Sequence, residues 1–116
     1  MPFKRGDGGL VLFPDSNLRT AKRRPALVVQ AENLGTGLPQ VIVAMITSNM
    51  ARAGHDSRVT IKRASSQGKQ TGILMDSVVM TDNLATIRET EIDRTIGNLQ
   101  DMSKIDKALK HTLNLL

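Results

Sequence analysis

Polar side chains that can hold a phosphate ester stand at the ends of short apolar segments in this sequence. Arg24 directly precedes the apolar run in KRRPALVVQ, and Thr47 and Ser48 follow the apolar run VIVAMI. A guanidinium presents a planar fork of N–H donors that stay charged at neutral pH, and hydroxyls donate further hydrogen bonds. Donors held at fixed positions stabilise negative charge that develops on oxygen. The pattern favours recognition of a phosphodiester.

Further polar residues adjoin these donors. The residues we expect to contact the ligand around Arg24 and Thr47 are Lys22, Arg23, Ser48, Asn49, Asp82 and Asn83. Each position taken alone has an ordinary explanation, because polar residues at strand ends form turns and charges beside an apolar strand suppress aggregation. Taken together, the cations, hydroxyls and carboxylate indicate a binding surface.

The charge distribution points to a polyanionic partner. The chain carries 16 Lys and Arg against 11 Asp and Glu, a net charge of +5. Residues 1–72 contain 11 cations and 4 anions, a net +7, whereas residues 73–116 contain 5 and 7, a net −2. Such a basic region attracts nucleic acid or an acidic protein segment. Phe3 and Phe13 are the only aromatic residues, so charge and hydrogen bonds must supply most of the binding to a nucleic acid.

The composition predicts no metal, no cofactor and no membrane segment. Cysteine is absent, so a disulfide framework and a cysteine-based zinc site are excluded, and a reducing cytoplasm is the expected location. The carboxylates Asp7, Asp15, Asp76 and Asp82 are scattered singly, whereas a metal-dependent nuclease needs clustered oxygen ligands. The apolar runs are too short to span a bilayer.

Periodicity predicts a mainly β fold, a small antiparallel barrel with a C-terminal α-helix in a single domain over residues 1–116. Strand-length apolar runs bounded by turn residues occupy residues 10–13, 26–31, 41–46, 58–61 and 77–81, and a further strand is expected near 94–98. The polar residues 63–69 predict a mobile loop. Positions 105, 108, 109, 112, 113 and 116 form one apolar helical face, which Asp101 or Ser103 can cap.

Five segments resemble successive signatures of the MazF/PemK toxin family. They are KRGD, KRRPALVVQ, VIVAMITS, DSVVMTDNLATI and IDKALKHTLNL, in the family's order and at similar spacing over nearly the whole chain. The Arg-Pro that opens the second long strand and the Ile-Thr-Ser that closes the next are the most specific. By position, the family's arginine falls on Arg24 and its threonine on Thr47. Asp82 matches an acidic position beside the substrate groove in part of the family.

The resemblance implies an SH3-like barrel and a homodimer. It also implies an endoribonuclease (mRNA interferase) that cuts single-stranded RNA without a metal, and an acidic cognate antitoxin of the MazE/PemI kind. The chain departs from the family at Met80 and Ala85, where arginines occur in other members, and the doublet Gly8-Gly9 weakens the expected first strand.

Metal-free RNA cleavage proceeds most directly by attack of the 2′-hydroxyl on the adjacent phosphorus, giving a 2′,3′-cyclic phosphate and a 5′-hydroxyl. We assign Arg24 to stabilising the phosphate oxygens and Thr47 to donating a hydrogen bond to one of them. Lys22 and Arg23 are expected to hold the RNA backbone, and Asp82 is a candidate base.

Two alternatives of another class stay open. Toxins that resemble the gyrase poison CcdB share this barrel but act by binding a protein, and other SH3-like barrels only bind RNA. The Arg-Pro and Ile-Thr-Ser pair favours the nuclease, because a gyrase binder needs no phosphate-stabilising centre. The absence of an arginine at Ala85 favours the alternatives.

Overall fold

A six-stranded antiparallel sheet organises the molecule. A computed structural model describes residues 3–116. The strands are β1 (Asp7–Pro14), β2 (Ala21–Val28), β3 (Gln40–Thr47), β4 (Arg58–Ile61), β5 (Ser77–Arg88) and β6 (Ile92–Asn98), and the helices are α1 (Ser66–Thr71) and α2 (Ser103–Leu113). Single 3₁₀ turns follow β3 and β5, at Met50–Arg52 and Glu89–Glu91. The strands lie in the order β4-β5-β3-β2-β1-β6.

The predicted mainly β, SH3-like fold with a C-terminal helix is confirmed, although the barrel is open. Within residues 3–116, β4 and β6 are the two edges of the sheet and do not pair with each other. Apolar residues lie on both faces, since Leu27 of β2 and Val29, which directly follows β2, belong to one core cluster and Ala26 and Val28 belong to another. Burial of both faces explains why these strands read as unbroken apolar runs rather than as alternating patterns.

The longest strand runs well past its predicted end. β5 continues to Arg88 instead of stopping at residue 81, and its pairing with β3 jumps from Met45↔Met80 to Ala44↔Leu84. The residues between Met80 and Leu84 therefore form an irregularity, and such irregularities bend a strand. The first half of β5 also pairs with β4. Gly8 and Gly9 lie inside β1 and are buried.

The prediction of a loop over residues 63–69 is wrong, because α1 begins at Ser66. The Ser65 hydroxyl oxygen accepts the N–H of Gly68 at 3.0 Å and caps the helix. A Cβ at Gly68 would lie 2.1 Å from the Lys62 carbonyl oxygen, so only glycine lets the chain fold back this closely. A helix of 6 residues is too short to show a helical period in the sequence.

The C-terminal helix covers the sheet with a shorter apolar face than predicted. Ile105 and Ala108 are buried, but α2 ends at Leu113 with Asn114 in the left-handed conformation, so Leu116 lies beyond the helix and is exposed. Asp101 accepts the N–H of Ser103 at 2.9 Å, and this hydrogen bond lowers the pKa of Asp101. Among residues 3–116, no helix is both long and apolar enough to cross a membrane.

Candidate functional site

The register of β2 and β3 brings the two principal predicted residues together. Ala26 pairs with Met45 and Leu27 with Ala44. The observed pairing stops at Ala26 and Met45, and the same register extended by two residues would set Arg24 opposite Thr47. Side chains opposite each other on neighbouring strands lie on one face with Cβ atoms about 5 Å apart. Both residues lie on strands, Arg24 on β2 and Thr47 on β3, rather than in loops.

Arg24 and Thr47 line one groove of about 440 Å³. Its polar lining consists of three arginines and three hydroxyl side chains, Arg23, Arg24, Arg94, Thr47, Ser48 and Ser77. Its apolar lining comes mainly from the strand ends and from the segment that joins α1 to β5. Within the described residues the lining contains no carboxylate, so the groove attracts an anion.

A carboxylate that the sequence analysis did not assign holds Arg24 from outside the groove. Asp15 Oδ1 lies 3.6 Å from Arg24 Nη2, and the other oxygen of Asp15 accepts the Thr20 hydroxyl at 2.7 Å. The hydrogen bond from Thr20 lowers the pKa of Asp15, and the charges of Lys22 and Arg24 lower it further. Asp15 thus stays ionised at neutral pH and orients the guanidinium, of whose side chain 35% is exposed.

Local hydrogen bonds orient the Thr47 hydroxyl. Its oxygen accepts the N–H of Asn49 at 3.1 Å, which leaves the hydroxyl hydrogen available to donate to a ligand. The Asn49 side chain accepts the N–H of Ala51 at 3.1 Å and caps the 3₁₀ turn. Asn49 therefore supports Thr47 and does not line the groove.

Asp82 and Asn83 lie on β5, away from the groove lining. Arg58 contacts both oxygens of Asp82, with Nη2–Oδ2 2.8 Å and Nε–Oδ1 3.3 Å. The hydrogen bond from Arg58 lowers the pKa of Asp82. A carboxylate held in this way is a weak proton acceptor. Asn83 donates to the Met45 sulfur at 3.3 Å.

Lys22 is also separate from the groove. It is exposed on β2 and is absent from the groove lining. The structure therefore brings together Arg23, Arg24, Thr47 and Ser48, and leaves Lys22, Asn49, Asp82 and Asn83 outside the groove lining.

Arg94 is a groove residue that sequence reasoning missed. Leu10 of β1 pairs with Pro25 of β2 on one side and with Arg94 of β6 on the other. The strand near residues 94–98 was predicted, but its place beside β1 was not. Only a correct prediction of the β1–β6 pairing would have indicated that Arg94 lies in the groove. Within residues 3–116, no three histidine, aspartate or glutamate side chains come together as metal ligands would.

Comparison with known proteins shows the family. A family described as "PemK-like, MazF-like toxin of type II toxin-antitoxin system" matches residues 4–113. The chain is 33% identical over 107 residues to endoribonuclease MazF6 of Mycobacterium tuberculosis, covering 90% of each chain. It is 32% identical over 122 residues to endoribonuclease EndoA of Bacillus subtilis, covering 100% of this chain and 98% of the relative.

A solved structure has a similar fold. It is an endoribonuclease in complex with its cognate antitoxin from Mycobacterial species, with a TM-score of 0.72, 22% identity, and coverage of 98% of this chain and 97% of that chain. This chain belongs to the PemK/MazF family of toxins of type II toxin–antitoxin systems. The predictions of the family and of its endoribonuclease class are confirmed.

Proposed function

We propose that this toxin cuts single-stranded RNA without a metal, by attack of a 2′-hydroxyl on the adjacent phosphorus. The observation that carries the proposal is that Arg24 and Thr47 line one groove whose lining contains three arginines. The attack breaks the bond from phosphorus to the 5′-oxygen. The 2′-hydroxyl loses its proton, the 5′-oxygen gains one, and the products carry 2′,3′-cyclic phosphate and 5′-hydroxyl ends.

Each groove residue has a distinct role in this reaction. Arg24 contacts the phosphate oxygens, on which negative charge increases as the fifth bond to phosphorus forms. Thr47 donates its hydroxyl hydrogen to one of these oxygens. Arg23 and Arg94 hold neighbouring phosphates, and Ser48 adds a hydrogen bond.

The flanking residues support this centre. We assign Asp15 as a positioning residue, because its carboxylate lies 3.6 Å from the guanidinium of Arg24. The assignment of Asp82 as the base stays a prediction, and its bidentate contact with Arg58 argues against that role.

We also propose the partners that the family relationship suggests. These are a second copy of the chain in a homodimer and an acidic cognate antitoxin, both in the cytoplasm. The support for the antitoxin is the description of the family as toxins of toxin–antitoxin systems and the net +7 of residues 1–72. An acidic antitoxin tail that binds to the basic surface of residues 1–72 would compete with RNA for that surface.

A cleavage assay tests the reaction. Purified toxin is incubated with single-stranded RNA in EDTA, and the ends of the products are mapped. We expect cleavage with cyclic phosphate ends in the wild type, and a loss of roughly a hundredfold in rate for Thr47→Val, as for other preorganised donors. Thr47→Ser, which retains the hydroxyl, is the matched control. Intact RNA together with stalled gyrase would instead support a gyrase-binding toxin.

A competition experiment tests the antitoxin surface. The double variant Lys22→Glu, Arg23→Glu should bind both RNA and an acidic antitoxin peptide more weakly, as measured by isothermal titration. If the variant binds the peptide as tightly as the wild type does while RNA binding collapses, the two ligands use different surfaces. Light scattering at several protein concentrations measures whether the toxin is a dimer.

A further inference from the structure

Two large apolar side chains are exposed where α1 leads into β5. Leu74 has 82% of its surface exposed and Met75 has 61%. Both line the same groove as Arg24, Thr47 and Arg94. Adjacent apolar side chains in a cationic groove indicate a ligand that combines an apolar surface with negative charge.

The backbone under these side chains is firmly held. Gly72 ends α1 in the left-handed conformation, with φ +76°, and a Cβ at this position would lie 2.1 Å from the Ile96 carbonyl oxygen of β6. After the turn, the Ser77 hydroxyl donates to the Met75 carbonyl at 2.8 Å. The N–H of Arg63 donates to the Asp76 carboxylate, also at 2.8 Å. Leu74 and Met75 are therefore presented by a braced turn.

The two aromatic side chains of the protein are not available to this groove. Phe13 is 1% exposed in the core, and Phe3 lines a separate cavity beside the segment that joins β2 to β3. Apart from the planar guanidinium groups of the groove arginines, contact with the face of a base in the groove must therefore come from aliphatic or thioether side chains. The methionine sulfur is polarisable and suits such a contact.

We propose that Leu74 and Met75 form a platform on which one unpaired base of the RNA packs while the groove arginines bind its phosphates. This inference rests on the proposed function. A nucleotide carries a flat apolar base and an anionic phosphate together, so it satisfies both kinds of lining in a groove of about 440 Å³. The platform offers no hydrogen bonds from its side chains and accepts any base. It requires a single strand, because stacking inside a duplex covers the faces of paired bases.

Binding of an uncleavable RNA tests the platform. The probe is a fluorescent single-stranded oligonucleotide with 2′-O-methyl groups, which cannot attack the phosphorus. We expect the double variant Leu74→Ser, Met75→Ser to bind roughly tenfold more weakly, with an unchanged dependence on salt, because no charge is removed. Leu74→Phe should bind more tightly than the wild type, since an aromatic ring stacks better on a base. Leu34→Ser is the control, because Leu34 is 54% exposed but lies outside the groove.

The outcomes separate this inference from the proposed function. If the wild type binds and cuts RNA while the double serine variant binds equally well, only the platform is wrong. If the double variant changes from dimer to monomer in sedimentation, the two side chains form an interface between copies, and the platform is again wrong. If the wild type neither binds nor cuts RNA, the proposed function fails as a whole.

Discussion

Substitution of Gly97 by alanine tests whether contact with β6 holds α1 in place, and with it the Leu74–Met75 turn that lines the groove. A Cβ at Gly97 would lie 2.1 Å from the Gln70 carbonyl oxygen and 2.5 Å from the Thr71 carbonyl carbon, whereas ordinary contacts begin near 3.4 Å. The end of α1 must therefore move by about 1.3 Å, the difference between 3.4 and 2.1 Å. Overpacking of this kind costs about 1–3 kcal/mol. For a domain of this size that corresponds to a fall in Tm of roughly 4–12 °C.

A glycine in the adjacent strand provides the control. A Cβ at Gly9 would meet its nearest atom, the Ile92 Cγ2, at 3.4 Å, and two more at 3.5 Å. Gly9→Ala should therefore leave Tm nearly unchanged or raise it slightly, because alanine restricts the unfolded chain. Thermal unfolding by circular dichroism at one protein concentration measures both variants.

The same displacement should reach the groove. A shift of the end of α1 moves Gly72 and the following Leu74–Met75 turn, so Gly97→Ala should also bind 2′-O-methyl RNA more weakly than Gly9→Ala does. Equal melting temperatures for the two variants would show that α1 adapts freely, and the close approach to β6 would then carry no mechanical role.

Three further predictions concern charge. Arg24→Ala should lower the rate of RNA cleavage at least a hundredfold in single-turnover assays while Tm changes by only a few degrees. Arg24→Lys should not restore the rate, because an ammonium lacks the guanidinium fork. A wild-type rate in either variant would show that Arg24 takes no part in the reaction. The logarithm of the RNA affinity should fall with the logarithm of the salt concentration at a slope of about −0.7 per phosphate contact. Arg23→Ala and Arg94→Ala should each reduce the size of that slope by about 0.7, as measured by binding titrations at several salt concentrations. An unchanged slope in one variant would show that its arginine does not contact a phosphate. Because Arg58 lowers the pKa of Asp82 in the folded state, the stabilisation from this pair is present above the unfolded value near 3.9 and is lost as pH falls through the lower folded value. Asp82→Asn should therefore be less stable than the wild type at pH 6, and the difference should shrink below about pH 4; a difference that stays constant down to pH 2 would contradict the ion pair.

The strands buried on both faces were the most predictable part of the fold. The run at residues 41–46 is apolar throughout and the run at 26–31 contains one polar residue, Gln30, so their type was clear even though β2 begins five residues earlier, at Ala21. The second half of β5 was missed because Asp82, Asn83 and Thr86 interrupt its apolar pattern. The short helix α1 was missed because close contacts between backbones hold it, and such contacts leave only glycines in the sequence.

Residues of the site were predictable where hydrogen-bond donors lie at the ends of apolar runs. Arg24 precedes one clear apolar run and Thr47 follows another, and both line the same groove. Asp15, Arg94, Leu74 and Met75 reach the site through the β1–β2 turn, the β1–β6 pairing and the α1–β5 turn. The places of Arg94, Leu74 and Met75 depend on contacts between distant parts of the chain, and that of Asp15 depends on the geometry of a turn; local sequence patterns contain neither.

The position of β3 in the sheet has a consequence for synthesis of the toxin. β3 carries Thr47 and lies between β2 and β5, so it is flanked on both sides only after residues 77–88 have been made. We expect a nascent chain on the ribosome to lack a stable centre until most of its 116 residues have emerged. A chain that is still being made would then lack the complete groove until that round of translation is nearly over.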